Sequence, residues 1–265
     1  MNISLLDEKL EGAGLVLADF IKRFKNGSDE DKLRVLREIL ANQQKIGRVF
    51  GEFFLAIRLI LGGSSAVGPG EFSECVAVGN RQNGFFASGI LLSEKWLLTS
   101  SHCRDATKMF VGIDVSGGGR DYPITYKDEN DLIVLFEVEG GFAGPVTPPN
   151  LPEKCDLVVG TPLRVVAFGK TDPNGGIFGQ ERQARFRVDK ALDVRIYASS
   201  DSGICPGDSG GPVFYDDGAT PRLLLAVCDS IIGDDCESGG VFATLVGKKA
   251  WIEQVTGLTL LARCP

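Results

Sequence analysis

Three residue types in this chain could together perform nucleophilic catalysis. The only histidine, His102, closes the run Leu98-Thr99-Ser100-Ser101-His102-Cys103. A serine, Ser209, stands in the glycine-rich turn Cys205-Pro206-Gly207-Asp208-Ser209-Gly210-Gly211-Pro212, and Asp131 opens the apolar run Leu132-Ile133-Val134-Leu135. A serine hydroxyl is a weak nucleophile until a base takes its proton, and the base needs an acid group to orient it and stabilise its charged form. Taken singly, each has an ordinary structural explanation: a tight loop, a packed or surface histidine, a strand-capping aspartate. Together they fill the roles of nucleophile, base and acid, and no second imidazole competes for the middle one.

The elements that must position these groups are short and mostly extended. FFASGILL, EKWLLTSS, DLIVLFEV, LRVVAFGK, PVFY and RLLLAVCDS are each bounded by Gly, Asp, Asn or Pro. That punctuation predicts an all-β sandwich or barrel, and the lack of helical patterns between the runs argues against βαβ units. Near the end, Ala250, Trp251 and Val255 predict a helix over 248–256. Residues 1–59 differ: Leu6, Leu10, Leu17, Phe20, Ile21 and Phe24 recur at helical spacing, as do Leu33, Leu36, Ile39, Leu40, Ile46 and Phe50. Asn26-Gly27 separates the two helices, and Phe53, Phe54, Ile57 and Leu59 suit a third. Gly and Pro become frequent only past residue 61, which marks a domain boundary there.

From Ile60 onward the chain resembles the chymotrypsin/trypsin family of serine proteases, on TSSHC, DLIVL and GDSGGP in the family's order of His, Asp, Ser. The resemblance implies an all-β fold of two six-stranded antiparallel barrels with a C-terminal helix over 60–265, here preceded by a small helical segment, 1–59, acting as a pro-segment or regulatory domain. It implies that Ser209 attacks the scissile carbonyl, His102 serves as base and then acid, and Asp131 fixes the imidazole tautomer. The N–H groups of Gly207 and Ser209 would form the oxyanion hole.

Ile60-Leu61-Gly62-Gly63 is similar to the family's mature N-terminus, so cleavage between Leu59 and Ile60 would free an α-amine to pair with Asp208. The plainer reading of this stretch is a strand end and a flexible turn. Gly203 and Gly240 fall at the family's primary specificity pocket. Gly203 replaces the buried aspartate of trypsin-like members, which implies a neutral or apolar side chain before the cut, although Asp201, Asp234 or Asp235 could reach the pocket instead. Cys205 and Cys236 match a family disulfide. Cys103 lacks its usual partner, since Ala87 or Ser88 stands where that cysteine would be. Cys75, Cys155, Cys228 and Cys264 are expected as thiols, with Cys228 replacing a serine that supports Asp131.

Composition bounds the alternatives. The 265 residues carry 28 basic and 35 acidic side chains, a formal net charge of −7, so a phosphate-neutralising surface and a nucleic-acid partner are not expected. One histidine excludes a multi-histidine metal centre, the cysteines show no CxxC pair, and no cofactor is implied. The opening residues carry Asp7, Glu8 and Glu11 where a secretory signal would be apolar, and the apolar stretch 49–61 includes Glu52 and Arg58, so no membrane span is expected. With an odd number of cysteines, these features favour a reducing cytoplasm, with secretion as the alternative. The leading reading is a serine endopeptidase acting on protein or peptide substrates, its residues 1–59 open to an activating protein. Its competitors are a regulatory or binding protein with a protease fold and weak or absent hydrolysis, and an esterase using the same three groups.

Overall fold

Two sheets of the glycine-rich part each curl until they meet themselves. The computed structural model describes residues 65–68, 70–171, 178–200, 203–216, 218, 223–232, 236 and 238–265. The helices expected over 1–59, the Ile60 terminus, and Asp201, Asp234 and Asp235 lie outside those residues.

The first barrel comprises β2 (Cys75–Asn80), β3 (Gly84–Ser93), β4 (Trp96–Ser100), β5 (Lys108–Val111), β6 (Arg120–Asn130) and β7 (Ile133–Val138), closed in the order β2-β3-β4-β7-β6-β5. Side chains alternate along a strand. Val76, Val78, Leu91, Leu97, Met109, Val134 and Phe136 accordingly fill the barrel, while their neighbours Cys75, Ala77, Ile90, Leu98 and Leu135 join a second apolar cluster. Burial of both faces is why these strands read as continuous apolar runs. Strand β4 pairs with β7 up to Ser100 opposite Ile133. The residues after β4 and before β7 therefore emerge at the same end of the barrel, which brings the segments of His102 and Asp131 together.

The second barrel is built from β8 (Pro162–Ala167), β9 (Arg182–Ala191), β10 (Arg195–Ser199), β11 (Pro212–Tyr215), β12 (Leu224–Ile231) and β13 (Gly240–Thr244), with β8 pairing β9 to close it. A two-residue strand, β1 (Ser65–Ala66), pairs with β9. Leu163, Val165, Phe186, Ile196, Val213 and Phe242 pack inside, the Phe186 and Phe242 rings edge to face at 5.4 Å. Val166, Phe214, Val227 and Ala243 turn the other way, into the cluster that holds the outward residues of the first barrel. The barrels thus share a core, and the candidate residues lie along that seam.

The expected closing helix forms as α1 (Lys249–Thr256), one residue shorter than predicted because Lys248 caps it. It buries Ile252 and stops at Gly257, whose φ of 71° only glycine adopts without strain. Trp251 Nε1 donates to Asp128 Oδ2 at 3.1 Å, fastening the helix to the first barrel.

Candidate active site

The turn before β11 is shaped by glycine. Gly207 has φ 100°, and a Cβ there would lie 2.6 Å from Phe178 and 3.0 Å from the Gly169 backbone. Gly210 has φ 81°, and its Cβ would overlap Thr99 Oγ1 and Ser88 O. Only glycine lets this turn press against the first barrel. Ser88, wholly buried on β3, ties the two together: its N–H donates to Ser209 O at 2.8 Å, its hydroxyl donates to Gly207 O at 2.9 Å, and that same hydroxyl accepts from Phe168 N at 2.9 Å. Thr99 supports Ser88 in turn, donating to its carbonyl at 2.7 Å. Among the described residues, no group accepts from the N–H of Gly207 or of Ser209. Those two donors are therefore free to receive a developing oxyanion.

His102 sits on a single 3₁₀ turn, Ser101–Cys103, held to the β7 side by Ser101 N donating to Leu132 O at 2.9 Å. Its side chain is half exposed at 49%, and its Nδ1 faces two oxygens: Ser100 Oγ at 2.9 Å and Asp229 Oδ1 at 3.8 Å. Asp131 is placed differently from what the resemblance implies. Its backbone takes a left-handed φ of 54°, and its exposed carboxylate pairs with Lys248 Nζ. The same ammonium donates to Asn130 Oδ1 at 2.7 Å. The tight turn between β6 and β7 demands a residue that tolerates positive φ, as Asp does, and the lysine just ahead of α1 captures the side chain so turned. The fold brings the segments together, yet the carboxylate facing the imidazole belongs to Asp229.

Asp208, next to Ser209, accepts from Gly169 N at 2.9 Å and Cys205 N at 2.7 Å. Desolvation nevertheless pushes its pKa up to about 7, against the pull of those N–H groups and of the Arg182 charge. Gly203 N donates to Cys236 O at 2.8 Å, and Ile204 N to Gly239 O at 3.2 Å, lacing segment 203–205 to the lead-in of β13. The Cys205–Cys236 disulfide locks that contact, as the resemblance implies, with Cα atoms 4.9 Å apart. A Cβ on Gly240 would meet Phe242 and Ile204 at 2.8 and 3.1 Å, so this wall is close-packed.

A second disulfide corrects the expectation of thiols at its positions: Cys155 and Cys264 pair across 109 residues, because Leu151 N donates to Leu261 O and Arg263 N to Leu151 O, which brings the two segments alongside. Cys75, Cys103 and Cys228 are free and buried, as expected. Burial pushes the Cys103 thiol up to about 12 and raises the other two well above the ordinary thiol range, which makes all three poor nucleophiles. Two disulfides argue against the reducing compartment expected from the sequence. Sequence reasoning missed Ser88 and Asp229 as site residues. Ser88 was visible only as the place of a missing cysteine, and Asp229 only as one more polar residue ending an apolar run.

Comparison with known proteins agrees with this fold. The Trypsin family profile matches residues 60–252. The snake venom serine protease HS114 of Bothrops jararaca is 26% identical over 251 residues, covering 78% of this chain and 91% of that protein. Human granzyme M is 25% identical over 215 residues, covering 67% of this chain and 82% of its own. Among solved structures, human heparin binding protein has a TM-score of 0.63 at 20% identity, over 77% of this chain and 100% of that one. At that identity the likeness is one of fold.

Proposed function

The chain belongs to the trypsin family of serine proteases, and on that premise we propose that it is a serine endopeptidase with Ser209 as nucleophile and His102 as base. The observation that carries the proposal is the nucleophile turn: two free N–H donors, at Gly207 and Ser209, held by Ser88 on the barrel that also bears His102. Ser209 Oγ attacks the substrate carbonyl while its proton passes to His102 Nε2, and the resulting oxyanion takes both N–H bonds. His102 then protonates the departing amine, leaving an acyl-enzyme that water, deprotonated by the same imidazole, hydrolyses. Losing one oxyanion donor typically costs about 3 kcal/mol of transition-state stabilisation.

The chain is made latent and is activated by a cut between Leu59 and Ile60, the new α-ammonium pairing with Asp208. A desolvated carboxylate held, among the described residues, by two backbone N–H groups and a nearby arginine supports that step. Gly203, standing where trypsin-like members carry a buried aspartate, supports a neutral or apolar residue before the scissile bond, and the two disulfides, with a venom protease among the relatives, support an oxidising, extracytoplasmic compartment. Substrates are proteins or peptides, and an activating protein would engage residues 1–59. A binding or regulatory role with weak hydrolysis is the second reading, favoured by the pairing of Asp131 with Lys248. Peptide-library cleavage by the full chain and by an Ile60-start form tests the proposal. It predicts cleavage lost in Ser209→Ala and much faster in the Ile60-start form. Equal rates from both forms would refute latency, and no cleavage from either would favour the binding role.

A further inference from the structure

Accepting His102 as the base, as proposed above, leaves open which carboxylate orients it. We propose that Asp229 is the positioning residue for His102, holding the imidazole as its Nδ1–H tautomer so that Nε2 is the proton acceptor.

The backbone aims this side chain. Along β12 the pairing with β13 runs from Cys228 opposite Phe242 directly to Ser230 opposite Val241, so Asp229 is the extra residue of a β-bulge. A bulge breaks strict alternation and redirects one side chain. Cys228 before it remains buried in the second barrel and Ser230 after it is exposed, while Asp229 itself is 8% exposed. Its carboxylate is divided between two partners: Arg195 Nε lies 3.2 Å from Oδ2, and His102 Nδ1 lies 3.8 Å from Oδ1. Arg195 engages Oδ2 and leaves Oδ1 facing the ring.

The second oxygen at Nδ1 gives the same tautomer. Ser100 Oγ lies 2.9 Å from Nδ1 and 3.5 Å from Leu132 O. With the hydroxyl proton directed to that carbonyl, Ser100 accepts from Nδ1–H. The reverse arrangement, with Ser100 donating to Nδ1, would turn a nitrogen lone pair toward the negative Asp229 carboxylate. Among the described residues, the titratable and charged side chains that face Asp229 are His102 and Arg195, and the neighbouring thiols Cys103 and Cys228 stay protonated through burial. Asp131 is engaged by Lys248 and by its own turn.

His102 is the only histidine of the chain, so one imidazole gives all the signal in a tag-free protein labelled with ¹⁵N-histidine. At about pH 8, above the ordinary histidine range, the full-length protein should show the Nδ1–H form predominating. Asp229→Asn should shift it toward Nε2–H and, in the activated form, lower kcat at least ~10²-fold with little change in KM. Asp229→Glu should restore part of both. Arg195→Gln breaks the same ion pair but keeps the carboxylate, so it should retain the Nδ1–H form; a shift equal to that of Asp229→Asn would reduce Asp229 to a structural partner of Arg195 and overturn the proposal. A wild-type imidazole that is mainly Nε2–H would also overturn it, and this measurement stands even if Asp229→Asn does not fold. So would a shift seen in Asp131→Asn and not in Asp229→Asn. Phosphonate labelling of Ser209 in the wild-type form that starts at Ile60, run in parallel, separates the two questions: its absence refutes the endopeptidase reading while the spectra still decide the role of Asp229.

Discussion

Replacing Asp208 by Asn tests whether this carboxylate is held at a cost in the uncut chain. Desolvation raises it from an ordinary 3.8 to about 7 despite two N–H bonds and the attraction of Arg182. A rise of about three pH units corresponds to roughly 4 kcal/mol. The folded state therefore holds the Asp208 proton more tightly than the unfolded chain does. The stability this contributes is fully present below about pH 4 and is lost as pH rises through about pH 7. Asn does not titrate, and its one oxygen can keep one of the two bonds from Gly169 and Cys205. The lost bond is a pH-independent offset of about 1–3 kcal/mol. Urea unfolding of both proteins between about pH 4 and pH 8 should thus find the variant less stable at the acid end, with the difference moving in its favour by up to about 4 kcal/mol toward the alkaline end. Curves that stay parallel would refute the reasoning. In protein cut before Ile60 the dependence should flatten, since an α-ammonium would stabilise the ionised carboxylate.

Gly207→Ala introduces a Cβ 2.6 Å from Phe178 at a backbone φ of 100°, so the turn must shift and kcat of the activated form should fall about 10²–10³-fold in steady-state peptide hydrolysis. Cys155→Ser with Cys264→Ser opens a 109-residue loop; the thermal midpoint should drop by an amount equivalent to about 4 kcal/mol or somewhat less, read by calorimetry under non-reducing conditions. Iodoacetamide near neutral pH should label no cysteine in the native chain and three after denaturation without reductant, counted by mass spectrometry.

The parts of the fold that were legible in the sequence are those with one dominant local cause. The runs that became β3, β4, β7, β8, β11 and β12 are buried on both faces, and their apolar continuity shows it. Strands β6 and β9 escaped notice because they are polar on one side: RDYPITYKDEN buries Tyr122 and Ile124, and RQARFRVDKA buries Phe186 and Val188 amid exposed charges. The turn around Ser209 was legible because the positive φ of Gly207 and Gly210 is a local demand that glycine meets, and because the resemblance rests on it. The surroundings of Asp131 and Asp229 were not. The side chain of Asp131 is decided by Lys248, 117 residues away, and that of Asp229 by a one-residue slip between β12 and β13. Neither event leaves a trace in the residues nearby. The Cys155–Cys264 disulfide is equally remote, made by the docking of the chain's last residues on Leu151.

The central claim, that Ser209 is a nucleophile activated by His102, is tested most directly by a fluorophosphonate probe, which forms a stable bond only with an activated serine. Stoichiometric labelling of the form that starts at Ile60 is expected, mapped to Ser209 by mass spectrometry and abolished by Ser209→Ala and by His102→Ala. An unlabelled, folded Ile60-start protein, or labelling that persists without Ser209, would contradict it.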